Sequence, residues 1–518
     1  MIRAISPIHG YLLLAIFGVV MILLTALKSR GHYWKTQVGF LAAGRKVSWF
    51  VGSLSIAVSW IWAPALFISV QQAYQQGIPG IFWFTFPNII CLLILAPLGL
   101  RIRKYLPDGY TQPEWIQYRF NKTIHKLYLF PFFWYQVMAV VVQLYAGGNF
   151  VSLLTGIPLI HVMVILAGVV LIYSVISGMR ASIMTDYLQY ALIFFGGLII
   201  LPWTIHAAGG WHAIKPGLGG VTGLHKNLLD PQVAFSFGIV TSIGLISGIL
   251  GDQQHWQRAF VIKKEQLAKA YIWGGIFFGI VPIGLSLLGF IGANQALHVT
   301  LPQGVDPAMI GVAVIVRYLP AWAVLFFVIM LLSSLCATLD SGLCAAGSLY
   351  AVDVAGYSKE EMKMLDKEET GEPFTEVDRK IREELDRKVV RRSRFAMVAI
   401  TIIGFALAIV VLKIPNFSLK YLWWGLNAVG ICFAVPTVLS LYWPRLSSKG
   451  VALGVGTALV LAVPVFLYGN AVGSTLMTVL GSVGAVAITT LFCWLLPRKV
   501  PFQLNPRGEF SALVDDPS

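Results

Sequence analysis

Runs of about twenty apolar residues, the length a helix needs to cross the hydrocarbon of a bilayer, recur along this chain. They fall at 10–27, 48–74, 81–100, 126–154, 158–177, 183–206, 233–252, 267–294, 319–350, 395–412, 420–443, 450–468 and 472–496. Lipid offers no partner to backbone N–H and C=O groups, so runs of this length must satisfy themselves as helices. About thirteen of them predict an all-α polytopic membrane protein. The composition agrees, with 57% hydrophobic and 12% charged residues over 518 positions. No cleavable signal is evident, because the first run starts at Gly10 and is long enough to span.

The net charge of +15 invites a nucleic-acid partner, but its placement argues against one. The Lys and Arg residues sit in short connections between apolar runs, with no basic patch interleaved by aromatics. Lys28 to Lys46, Arg101 to Lys126, Arg258 to Lys264, Lys388 to Arg394, Arg445, Lys449, Arg498 and Lys499 gather on one side of the predicted membrane. Only Arg3, Lys215, Lys226, Arg317, Lys413 and Lys420 fall on the other. The positive-inside rule then puts the N-terminus outside and the C-terminus in the cytoplasm. The five cysteines lie in apolar runs without metal spacing and read as small apolar residues.

Two runs look broken. The second carries Ala57-Val58-Ser59-Trp60-Ile61-Trp62-Ala63-Pro64, where proline removes a backbone donor and clashes with the preceding turn. The seventh carries Gly244, Gly248 and Gly251-Asp252. Each opens a set of five helices, 48–206 and 233–443, the pattern of an inverted-repeat transporter with sites at the midplane. Around these sets lie a first helix and loop at 1–47 and an extracellular loop at 207–232. A charged cytoplasmic loop within 353–394 should hold a short amphipathic helix through Glu376–Val390. Two peripheral helices at 444–497 and a tail at 498–518 complete the division.

The ninth run places Ser333-Ser334 and Thr338-Leu339-Asp340-Ser341 at membrane depth. Adjacent hydroxyls there either supply oxygens to a hard cation, or bond back to helix carbonyls and join two helices. Trp60 and Trp62 straddle the first break, and Tyr135, Gln136 and Gln143 share the third core helix. Such aromatic edges and amides suit a small neutral polar solute, and they also suit packing.

The segment Gly178-Met179-Arg180-Ala181, followed by Thr185-Asp186-Tyr187-Leu188-Gln189, resembles the signature of the sodium:solute symporter family. Thr111, Pro113 and Glu114, Gln257-Arg258 and Thr338 to Ser341 follow in the family's order. Ser59 to Ala63, Tyr74 to Trp83 and Asp252 to Arg258 look like its urea-carrier branch. The resemblance covers residues 10–496 and implies a LeuT-like 5+5 inverted-repeat core. It implies a sodium site from the carbonyls of Ala57, Trp60 and Met330 and the hydroxyls of Ser333 and Ser334, with Asp186 on the sodium exit route. Cys336 and Ala337 stand where some members place hydroxyls for a second sodium, which implies a single coupling ion. Gly248 falls where sugar carriers place an aromatic gate, which disfavours a sugar.

The expected partners are therefore a small polar solute, urea or a similar neutral molecule first, together with a sodium ion and the bilayer. The only cofactor-like species is the coupling ion, and the oligomeric state is left open. A proton-coupled carrier stays open through Asp186 or Asp252. A transporter-like sensor would need an output domain, for which the residues after Arg498 leave little room. Enzyme chemistry is not expected, because no metal-binding His-Glu spacing, nucleophile elbow or phosphate loop is present.

Overall fold

The computed structural model describes residues 4–28, 35–414 and 418–503. Most of the tail at 498–518 and the first three residues lie outside that range. Among the described residues the chain is helical throughout and forms no strand beyond one isolated bridge between Val47 and Ile262.

The helices used below are α1 Pro7–Lys28, α2 Trp49–Trp60, α3 Ala63–Tyr105, α4 Gln112–Arg119, α5 Lys122–Thr155, α6 Leu159–Ser177, α7 Met179–Ala208 and α8 Ile239–Leu250. They continue with α9 Gln253–Val261, α10 Leu267–Ala293, α11 Ala321–Leu349, α12 Glu376–Leu412, α13 Leu419–Tyr442, α14 Ser448–Ala471 and α15 Thr475–Leu495. Twelve helices among the described residues are long and apolar enough to cross a membrane. All thirteen predicted runs lie in helices, because α3, at 43 residues, holds parts of two of them. The chain bends there at Gly77, with φ 63° and ψ −146°. A Cβ at 77 would lie 2.3 Å from the Leu218 carbonyl oxygen, so both the positive φ and the close approach require glycine.

Both expected breaks are present. α2 stops at Trp60, Ile61 leaves the helical conformation, Trp62 is extended, and α3 restarts with Pro64 in its first turn, where a missing N–H costs nothing. α8 stops at Leu250, and Asp252 caps α9 by accepting from the Gln254 N–H at 3.0 Å.

α11 lies at the centre, buried without interruption from Met330 to Leu349. Peripheral helices turn large apolar side chains outward, among them Phe195, Leu461 and Trp494. That is the surface expected of a protein facing lipid.

Two expectations need correction. The charged connector does not hold a separate helix at Glu376–Val390. α12 runs unbroken from the charged stretch into the apolar one, since no proline interrupts Glu376–Leu412. A preceding helix, Lys359–Thr370, is tied to it by Lys388–Glu361 at 3.3 Å and Lys367–Asp378 at 2.9 Å. The connector also begins later than 353. Asp353 closes the last turn after α11 and is buried against His125 at 3.0 Å.

Candidate functional site

A small cavity opens beside the first break. Trp60, Trp62, Pro64 and Ala65 line it from the break, Phe84 and Asn88 from the later part of α3, and Tyr135 from α5. Leu245 of α8 and Trp423, Leu426 and Asn427 of α13 complete the wall. The wall is mostly apolar, with a few polar groups converging on it, as in small-molecule sites generally. The indole N–H groups of Trp60 and Trp62 are buried and meet no nitrogen or oxygen acceptor among the described residues, and Trp60 meets only the Cys91 thiol, a weak acceptor. A buried donor left unmatched costs about 1–3 kcal/mol, so these two are poised for an acceptor on a guest.

Tyr135 donates its hydroxyl to Asn427 Oδ1, and its ring meets Trp62 edge-on at 6.2 Å. Gly248 sits directly against this bond. A Cβ there would lie 1.9 Å from the Tyr135 hydroxyl and 2.2 Å from Asn427 Oδ1. The two polar groups thus occupy the space that a side chain at 248 would need. On another side of Trp60, its ring packs edge-on against His255 at 4.8 Å.

Gln136 and Gln143 do not line the cavity. Gln143 accepts from the Ala63 N–H at 3.0 Å and so caps the restarted helix. Gln136 donates to Asp252 Oδ1 at 3.2 Å, joining α5 to the second break, where His255 also meets Asp252 at 3.2 Å.

The serine pair divides. Ser334 donates to the Ile61 carbonyl at 2.6 Å, which brings α11 onto the break. Ser333 donates to the Ile329 carbonyl one turn back at 2.7 Å, the back-bonded alternative. The contact with the break falls at Ile61 rather than at Ala57 or Trp60. The Ala57 carbonyl is engaged by the Ile61 N–H at 3.1 Å, because α2 keeps its last helical bonds up to residue 61. Met330 turns its side chain toward Gly196 and Gly197 of α7. Thr338, one turn beyond Ser334, lies 3.4 Å from the Ile61 carbonyl and 3.5 Å from that of Ser59, a further tie between α11 and the break.

Asp186 is fully buried, and so is Arg258, which donates to it at 3.1 Å. Counting Arg258 among the loop charges of the cytoplasmic side was wrong. α9 extends the seventh run to Val261, and the guanidinium turns inward to the carboxylate. His255 is likewise buried, on α9. Asn88 and Asn427 were not singled out from the sequence, and Asp340 was singled out only as part of the Thr338–Ser341 segment. Each is a polar residue inside an apolar run, and that alone is a signal of function at membrane depth.

A family model described as "Sodium:solute symporter family" matches residues 40–457. The chain belongs to that family. It is 23% identical over 369 residues to the probable urea active transporter 1 of Schizosaccharomyces pombe, covering 65% of this chain and 54% of that protein. It is 20% identical over 464 residues to a urea-proton symporter of Oryza sativa subsp. japonica, covering 83% and 61%. It is 22% identical over 438 residues to a sodium/pantothenate symporter of Haemophilus influenzae, covering 82% and 84%. The chain therefore spans about half the length of the yeast urea carriers it matches. These relatives are transporters, not enzymes. The fold is that of a solved Na+-coupled sialic acid symporter in a substrate-bound, outward-open state, with a TM-score of 0.71 at 15% identity over 96% of this chain and 99% of that one.

Proposed function

We propose that this chain is a sodium-coupled symporter that imports a small neutral polar solute, urea or a short amide, by alternating access. The observation that carries the reading is the meeting of two features at one break. The cavity presents two indole donors that meet no nitrogen or oxygen acceptor among the described residues, and the Ser334–Ile61 contact lies at the same unwound turn.

A planar diamide offers one carbonyl acceptor and several N–H donors. The indole N–H groups of Trp60 and Trp62 would receive its oxygen, while Asn88 and Asn427 face its amides across the cavity. The bulk a hexose requires is opposed by the Tyr135–Asn427 bond, which fills the space against Gly248. The names of the urea-carrying relatives support the same solute class.

Sodium is a hard cation and needs several oxygens at once. An unwound turn exposes carbonyls that a continuous helix would consume. Ser334 and the Ile61 carbonyl are the pair around which such a seat would form, between the helix carrying the break and α11. Binding there would hold the two elements together, and loss of the ion would release them. Asp186 would face the ion's path toward the cytoplasm.

The test is uptake of labelled urea into proteoliposomes with and without an inward sodium gradient, with a hexose and a short amide as competitors. Sodium-driven, saturable urea uptake inhibited by the amide supports the reading. Hexose uptake indifferent to urea refutes it.

A further inference from the structure

One buried cluster holds one more charged group than its pairing explains. Asp252, equally buried, stands apart from it and is met by His255 at 3.2 Å. Asp186 on α7, Asp340 on α11 and Arg258 on α9 are each completely buried. Two carboxylates and one guanidinium leave a net charge of −1 at membrane depth, which an apolar surrounding does not tolerate.

The hydrogen bonds say where the imbalance lies. Arg258 donates to Asp186 Oδ2 at 3.1 Å, to the Ser341 hydroxyl at 2.6 Å, to the Ser55 hydroxyl at 3.2 Å and to the Gln254 carbonyl at 2.8 Å. Ser55 in turn donates to Asp186 Oδ2 at 2.5 Å. Asp186 Oδ1 is buried without any partner among the described residues. Asp340 Oδ1 accepts from Ser174 at 2.6 Å, and Oδ2 lies 3.3 Å from the Thr185 hydroxyl. Among the described residues no cationic group contacts Asp340 directly. The other titratable groups facing the pair are Cys344, 3.7 Å from Asp340, and Tyr173 and Cys336, which bond to each other through hydroxyl and carbonyl. The half-buried Arg394 of α12 donates instead to the Val175 and Ile176 carbonyls at the end of α6.

We propose that Asp186 and Asp340 together hold one exchangeable proton, with Arg258 as their fixed counter-charge, at a site separate from the turn at Ser334. Six residues, or about 9 Å of helix, separate Ser334 from Asp340. A metal ion is the poorer occupant, because the guanidinium beside Asp186 repels a second cation and the few free oxygens fall short of a hard ion's needs. A proton brings the cluster to zero charge without displacing any group. Its uptake also has a mechanical consequence. Asp186 binds both Ser55 of α2 and Arg258 of α9, one half of each broken helix. Protonating Asp186 removes the charge from that clamp and leaves only neutral bonds on its carboxyl. The inference stands on this charge count, and not on the identity of the solute.

Infrared difference spectroscopy on the purified full chain tests it without any solute. The protonated-carboxyl band is recorded near neutral pH in the wild type and in Asp186→Asn, Asp340→Asn and the double variant. The expected result is that each single substitution removes the same one protonated carboxyl, and the double variant removes no more. Unchanged bands in both single variants would mean that both carboxylates are ionised, and would overturn the proposal. Loss of the wild-type band when NaCl replaces KCl at fixed pH would assign the site to a metal ion and overturn it equally. If Asn at 340 prevents folding, Asp340→Glu keeps the acid and must shift the band, and an unshifted band counts against the proposal. Urea uptake enters none of these readings, so a failed solute assignment leaves them intact.

Discussion

Replacing Gly248 by alanine should disable the cavity while adding only one methyl group. That methyl would lie 1.9 Å from the Tyr135 hydroxyl and 2.2 Å from Asn427 Oδ1, where ordinary contacts stop near 3.0 Å. The two oxygens must therefore withdraw by at least 3.0 − 1.9 = 1.1 Å and 3.0 − 2.2 = 0.8 Å. Neither can do so while keeping the bond between them. Overpacking of this kind costs about 1–3 kcal/mol. The buried hydrogen bond it breaks costs a similar amount, about 1–3 kcal/mol. One movement incurs both, so a combined loss of about 2–6 kcal/mol is expected. The thermal midpoint of the purified variant should fall, and its half-saturating urea concentration should rise by about ten-fold or more, equivalent to 1.4 kcal/mol. Adding Tyr135→Phe should recover part of the stability, because it removes the closest oxygen, and the two changes should be non-additive. A Gly248→Ala variant as stable and as active as the wild type would refute the placement of Tyr135 and Asn427.

Two further outcomes are expected away from the cavity. Glu114 closes the capping box of α4 by accepting from the Thr111 N–H at 3.4 Å, accepts also from the Tyr110 N–H at 2.8 Å, and burial raises its pKa to about 7. The folded state therefore holds its proton more tightly than the unfolded chain does, and stability drains away as pH rises from about 4.5 to about 7. Glu114→Gln keeps an acceptor for the cap and should flatten the thermal midpoint over that window; an unchanged slope would place the titration elsewhere. A cysteine at Ser358, at the start of the helix Lys359–Thr370, should be labelled only from the cytoplasmic side, and labelling of intact cells by an impermeant reagent would reverse the predicted orientation.

The features legible in the sequence were those that backbone chemistry enforces locally. Pro64 and Gly251-Asp252 announced the two breaks because each disrupts a helix by itself. Ser334 was legible as a polar group at membrane depth. What escaped were relations between distant segments. Arg258 looked like a loop charge because counting positive residues cannot see Asp186, 72 positions earlier, waiting inside. The carbonyl that Ser334 meets at the break was not legible, because α2 keeps its hydrogen bonds to its last turn and the contact falls at Ile61. The serine pair could not be divided without knowing which side of α11 meets the break. Gly248 was read as a missing gate, whereas its absent side chain is what admits Tyr135 and Asn427.

The central claim is that a sodium ion seated at Ser334 and the first break drives the solute. Its most direct test is the sodium dependence of labelled urea uptake in proteoliposomes at fixed pH, in wild type, Ser334→Ala and Ser333→Ala. Ser334 reaches the Ile61 carbonyl at 2.6 Å, while Ser333 is bonded back to Ile329. Deleting an oxygen that little water can replace should raise the half-saturating sodium concentration about ten-fold in Ser334→Ala, or 1.4 kcal/mol. Ser333→Ala should move it far less. A Ser334→Ala curve superimposed on the wild type, or urea uptake that needs no sodium at all, would contradict the account.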